Sequence, residues 1–226
     1  MCDNLKTNKY AIIKYDSKLC DMVIEEPSTL TVLNRFGIYL GLGDKTLTDV
    51  CHEMQLDIEF FSTILNTYIN ENYFPEDILK SHSINKLIEY FHKTNEYYLR
   101  FSIPNIDRHF NSLIQRSSAD NNNLGLLRNF FEEVKNELLT RIEFDKTILS
   151  GTNSNEMQLL KPESEDLIED KLNDLINMFV LHLKGNYDIN LCQAVLISIM
   201  ALKKDINQNN RLRYRILFPL IEHHYN

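Results

Sequence analysis

The chain has 226 residues, with 24 Lys and Arg against 32 Asp and Glu, a formal net charge of -8 and a pI near 5.4. Apolar residues at 43% and charged residues at 25% are ordinary globular values, which excludes wholesale disorder. Only 6 Gly and 5 Pro are available to make turns, too few for a protein built of many short strands, so the composition points to an all-α chain with long, seldom-interrupted helices.

Residues 1–16 read as a polar leader whose only apolar run, Ala11-Ile12-Ile13, is too short for a signal-peptide core. Residues 17–75 read as a small helical domain. Pro27 suits the first turn of a helix, and Gly37, Gly41 and Gly43 fall in an irregular loop. Thr46 with Asp49 three residues on resembles a capping box, and Asp57 is a second N-cap ahead of Phe60, Phe61, Ile64 and Leu65. A linker is expected around Asn70–Asp77, because Pro75 disfavours helix in the residue before it.

From residue 83 to 226 the apolar periods lengthen. Ile84, Leu87, Ile88, Phe91, Asn95 and Tyr98 share one helical face, with a bend expected near Pro104 and an interruption at Asp120–Asn123. Leu127, Phe130, Phe131, Val134, Leu138 and Ile142 make a second face, and Ser150–Ser154 a loop. A third helix opens on Glu163, Glu165 and Asp166, runs through Ile168, Leu172, Leu175 and Phe179, and is capped at Gly185. A fourth runs from Ile189 to Pro219. Four amphipathic helices joined by moderate loops predict an up-down four-helix bundle.

The four cysteines, Cys2, Cys20, Cys51 and Cys192, are scattered and form no CxxC pair, which fits buried thiols in a reducing cytoplasm better than a zinc site. No stretch approaches the roughly 20 apolar residues of a membrane helix. The segment from Thr46 to Leu65 has the outline of a helix-turn-helix that would offer Asp57, Glu59, Ser62 and Asn66 to DNA, the basis of a reading as a transcriptional regulator. Between Ser17 and Lys80, however, four basic residues face eleven acidic ones, which opposes binding to phosphates. His92-Lys93-Thr94-Asn95-Glu96, preceded by Glu89, could be half of a carboxylate-rich metal site. The pairs Glu89–Lys93 and Glu96–Arg100 read equally as an exposed, charge-paired helix face. Tyr90, Tyr97 and Tyr98 read as core-edge residues with hydroxyls reaching water.

Arg35-Phe36-Gly37-Ile38-Tyr39 with its glycine loop and Lys45, Phe91-His92 ahead of Leu99-Arg100 and Ile103-Pro104, and Leu217-Phe218-Pro219 occur in an order that resembles the iron–sulfur cluster repair family. That resemblance implies a short N-terminal helical domain followed by a hemerythrin-like di-iron bundle, in a nitrosative or oxidative stress response. The family pattern requires His-x-x-x-Glu pairs inside the bundle. Here its positions fall on Asn209 and Arg213, on Thr140 and Phe144, and on Glu165, leaving His92 as the one retained ligand position, while the family's adjacent cysteines fall on Gly41 and Leu42. The resemblance therefore implies a metal-free, non-catalytic member with no cofactor, in which Arg213 pairs with Glu165 beside Asn209 and His92. The alternative is an active di-iron repair protein. Tyr39, Leu40 and Leu42 are the candidate contacts for a protein partner or a homodimer through the N-terminal domain.

Overall fold

The structure is a computed structural model and describes residues 12–117, 122–149 and 166–225. The described residues are overwhelmingly helical and form no strand; one isolated bridge joins Lys18 and Thr46. Contacts divide the chain into two units, Met1–Ser83 and Ile84–Asn226.

The first unit holds α1 (Leu19–Glu25), α2 (Thr29–Arg35), α3 (Leu47–Met54), α4 (Ile58–Ile69) and α5 (Glu76–Ser81). Helix α2 ends in a Schellman motif. The Gly37 N–H donates to the Asn34 carbonyl and the Ile38 N–H to the Leu33 carbonyl, which requires Gly37 at φ 74°. Thr46 and Asp49 form a full capping box. The Asp49 N–H donates to the Thr46 hydroxyl at 3.2 Å, and the Thr46 N–H donates to the Asp49 carboxylate at 2.8 Å, holding that carboxyl below its ordinary range. Thr46→Ala is expected to cost about 1 kcal/mol, read from urea unfolding, with Thr46→Ser restoring most of it. Asp57 caps α4 through the Phe60 N–H at 3.0 Å.

Helix α4 is the centre of this unit, with Phe60 through Ile69 all buried. Asn66, on which a recognition helix would depend, is 2% exposed. Its amide accepts from the Ile13 N–H at 2.7 Å and donates to the Ile13 carbonyl at 3.1 Å. Ile13 is itself buried, so the end of the expected polar leader belongs to this unit. Residues 76–81, expected within or beside a linker, form α5 instead, since Pro75 can precede a helix although it cannot continue one.

Among the described residues the second unit holds four helical rods. The first joins α6 (Ile84–Tyr97) to α7 (Ile103–Arg116) through a π turn at Tyr98–Ser102. The second is α8, 28 residues from Asn122 to Leu149. The third is α9 (Ile168–Asn177) with a π turn at Met178–His182. The fourth joins α10 (Ile189–Leu212) to α11 (Phe218–Tyr225) through a π turn at Arg213–Leu217. The first rod packs on the second and fourth, and the third rod also packs on the second and fourth. Between them lies one apolar core including Phe110, Phe131, Leu138, Leu172, Val195 and Ile199.

Pro104 and Pro219 do not break their rods. A proline ring clashes with the carbonyl four residues back, here that of Arg100 or Arg215. Both residues lie inside π turns, whose wider i→i+5 spacing relieves the clash. Each turn begins six residues before its proline, at Tyr98 and at Arg213, and both of these side chains are buried.

Candidate functional site

Among the described residues, the interior of the second unit is apolar except for a polar layer near these two turns. Arg213, 2% exposed, makes a two-pronged ion pair with the equally buried Asp145 of α8. Its Nη1 donates to Oδ2 at 2.7 Å, and its Nη2 donates to Oδ1. Asn95 of α6 donates to the same carboxylate at 3.1 Å. The guanidinium lies 4.6 Å from the centre of the Phe218 ring. Burial works against the charge on Arg213, but the charge of Asp145 and its hydrogen bonds outweigh it, so its pKa is raised.

One turn back on α10, Asn209 joins two tyrosines. Its Oδ1 accepts from the Tyr90 hydroxyl at 2.9 Å, and its Nδ2 donates to the Tyr98 hydroxyl at 3.2 Å and to the Asp205 carbonyl at 2.7 Å. Tyr90 and Tyr98 are therefore fully buried rather than core-edge residues with wet hydroxyls.

A further group lies toward the third rod. Asp166 accepts from Arg141 Nη1 and from the Tyr214 hydroxyl, both at 2.8 Å. Burial, and then Asp166, raise the Tyr214 pKa far above its ordinary value and keep the hydroxyl protonated as a donor. Thr140, Arg141, Phe144, Asp166, Arg213 and Tyr214 all line one cleft of about 510 Å³.

The residues singled out in the sequence separate accordingly. Asn209 and Arg213 lie in the buried layer. Arg213 is joined to Asp145; Glu165, its expected partner, lies outside the described residues. Thr140 is exposed, its hydroxyl turned back on the Asn136 carbonyl, and Phe144 is half-buried; both border the cleft. His92 faces solvent, away from the layer it was expected to join, on a face carrying the Glu89–Lys93 and Glu96–Arg100 ion pairs, both at 2.7 Å. In the first unit Tyr39 and Leu40 are 78% and 71% exposed, but Leu42 is only 8% exposed and belongs to the core. The residue sequence reasoning missed is Asp145. Its signal was available, because it stands three residues beyond Ile142 on the stripe Val134, Leu138, Ile142.

Among the described residues, this donor set does not fit a di-iron centre. Iron needs several carboxylates and imidazoles converging on one point, and no three His, Cys, Asp or Glu side chains do so among the described residues. In the buried polar layer a cation already holds the Asp145 carboxylate, and Asn209 is engaged by two tyrosines. Cys51 is equally unsuited to nucleophilic work, its thiol pushed up to about 11 by burial and then by Asp57; burial also raises Cys192. No helix among the described residues is long and apolar enough to cross a membrane. No family model matches the chain, and neither does any curated protein or solved structure.

Proposed function

We propose that this chain is a metal-free, non-catalytic cytoplasmic protein of hemerythrin-like architecture that acts by contact with another protein. The observation that carries the reading is the buried Arg213–Asp145 pair joining the second and fourth rods. A guanidinium repels Fe²⁺ and Fe³⁺, and its bidentate hold on Asp145 occupies a carboxylate a metal would need. Asn209, flanked by Tyr90 and Tyr98, fills the adjoining position with a group that coordinates iron poorly.

A nitrosative or oxidative stress response is the role that the motif order, resembling iron–sulfur cluster repair proteins, suggests by analogy alone. The contact surface is the acidic first unit, where Tyr39 and Leu40 stand out from the glycine loop, and a second copy of the chain is one partner it suits. The test is metal analysis of protein purified anaerobically from iron-replete cells. Iron well below one atom per chain is expected. Stoichiometric iron with an oxo-bridge absorption band would overturn the reading in favour of an active di-iron protein.

A further inference from the structure

A second cleft of the second unit lies on its outer surface, between the first rod and α10. Its volume of about 540 Å³ falls in the ~300–1,000 Å³ range of small-molecule sites. The apolar part of its lining stands open to water. Phe101, whose ring centre lies 5.6 Å from that of Tyr97, is 60% exposed, and Ile197 on the α10 side is 66% exposed, with Pro104 and Ala201 also exposed beside them. From Ile189 to Leu202 no residue of α10 is charged, so that wall is apolar or neutral throughout. An apolar body laid on these side chains would take their surface, and its own, out of water.

The charged groups of the cleft have one sign. Arg100 and Arg108 line it, and among the described residues no Asp or Glu does. Arg100 is held at 2.7 Å by Glu96, which lies outside the lining, in a pair exposed at both ends. Arg108 has no acidic partner among the described residues; a neutral amide positions it instead. Its Nη2 donates to Asn105 Oδ1 at 2.7 Å, and Asn105 Nδ2 donates across the cleft to the Ser198 hydroxyl of α10 at 3.3 Å. That chain of bonds ties the guanidinium of an exposed side chain to the cleft. Its Nε–H and Nη1 donors are uncommitted among the described residues. The Ser198 hydroxyl donates to the Ala194 carbonyl at 2.8 Å. The hydroxyls of Tyr97 and Ser102 can give or accept a hydrogen bond and so select no charge. A cation would find no carboxylate here, and a neutral molecule would leave the Arg108 charge to water. A carboxylate meets a guanidinium through charge-assisted, two-pronged hydrogen bonds.

We infer that this cleft binds a small monocarboxylate with an apolar body, the carboxylate accepting from Arg108 and the body lying on Phe101 and Ile197. The inference stands apart from the iron–sulfur reading: it requires only the outer surface of the second unit, and iron in the interior would leave it intact.

The test titrates the full chain with octanoate, octan-1-ol, octylamine and acetate, each below its solubility or micelle limit. Binding is read by calorimetry and by the amide resonances of Phe101 and Ile197. Octanoate is expected to bind and to move both resonances. Octan-1-ol, which has the same body without the charge, should bind at least ~10-fold more weakly, with octylamine and acetate no tighter than octan-1-ol. Arg108→Gln, at an exposed position, should bring octanoate down to the affinity of octan-1-ol and leave octan-1-ol unchanged. Arg108→Lys, which keeps the charge without the fork, should fall between. Ala201→Trp, also exposed, should weaken octanoate at least ~10-fold by filling the cleft, with the circular dichroism and melting temperature unchanged. Another probe binding as tightly as octanoate, full octanoate affinity in R108Q or A201W, or no binding by any probe would each overturn the inference.

Discussion

Arg213→Met is expected to lower the unfolding free energy by about 3–5 kcal/mol, among the largest effects available to a single substitution in this protein. The methionine fills much of the same volume, so the loss comes from the partner. Asp145, 2% exposed, would be left buried with only the Asn95 amide to answer it. The double variant R213M/D145L removes both charges and should return to within about 1 kcal/mol of the parent, or exceed it, because bringing two ions out of water consumes most of what their attraction returns. Arg213→Lys should fall between, since an ammonium cannot reproduce the fork that meets both carboxylate oxygens. Urea unfolding followed by circular dichroism measures all three. A single-variant loss under about 1 kcal/mol would mean that the pair is solvated and that the polar layer is open to other ligands.

The contrast between Asp145 and its expected substitutes shows what a sequence can and cannot convey. The helices and many of their limits were legible because they rest on local chemistry: the Thr46–Asp49 box, the Asp57 cap and the long apolar stripes. Arg213 and Asn209 stand four and eight positions before Leu217, whose Leu-Phe-Pro run anchors the family pattern. For α8 the anchor is only the pair Ile148-Leu149, four and eight positions after Phe144 and Thr140 when counted from Ile148, and two adjacent apolar residues leave the helical phase uncertain by one position, or about 100°. The apolar stripe of α8 would have fixed that phase and led to Asp145.

Other features had no local signal. Asn66 is polar within a helix that could pass for a DNA reader, and its bonds to Ile13, 53 residues away, together with one to the Ser62 carbonyl satisfy it in the interior. Leu42 sits between Gly41 and Gly43, both at positive φ, where periodicity carries no information. The π turns are a middle case. Prolines 104 and 219 announced a local disturbance, read as a bend in one rod and an end to the other. The i→i+5 turns absorb the clash and place Tyr98 and Arg213 in the interior, so the prolines are remote determinants of the polar layer.

Phe110→Ala is expected to cost about 3–5 kcal/mol, a loss comparable to that of Arg213→Met but different in origin. Phe110 of α7 is fully buried. Its ring centre lies 5.5 Å from that of Phe131 on α8, nearly parallel, and 5.7 Å from that of Phe179 in the π turn of the third rod. The Arg128 guanidinium lies 5.6 Å from the same ring. Three rods therefore meet on one side chain, and truncation leaves a cavity that none of them can close alone. Phe110→Leu, which keeps most of the volume, should cost roughly 1.5 kcal/mol. Hydrogen exchange gives a local reading: protection of the Phe131 and Phe179 amides should fall by about 10²–10³ in the alanine variant. The two lesions are also far apart. Phe131 and Asp145, the α8 partners of Phe110 and Arg213, are 14 positions apart on one continuous helix, or about 21 Å at ~1.5 Å per residue. With no shared partner and that separation, the losses should add, to about 6–10 kcal/mol in the double variant. That is comparable to the whole stability of an ordinary domain, so R213M/F110A should lose the helical signal of the four rods at neutral pH. A double variant that stays folded with less than the summed loss would show that the polar layer and the aromatic core are energetically one structure.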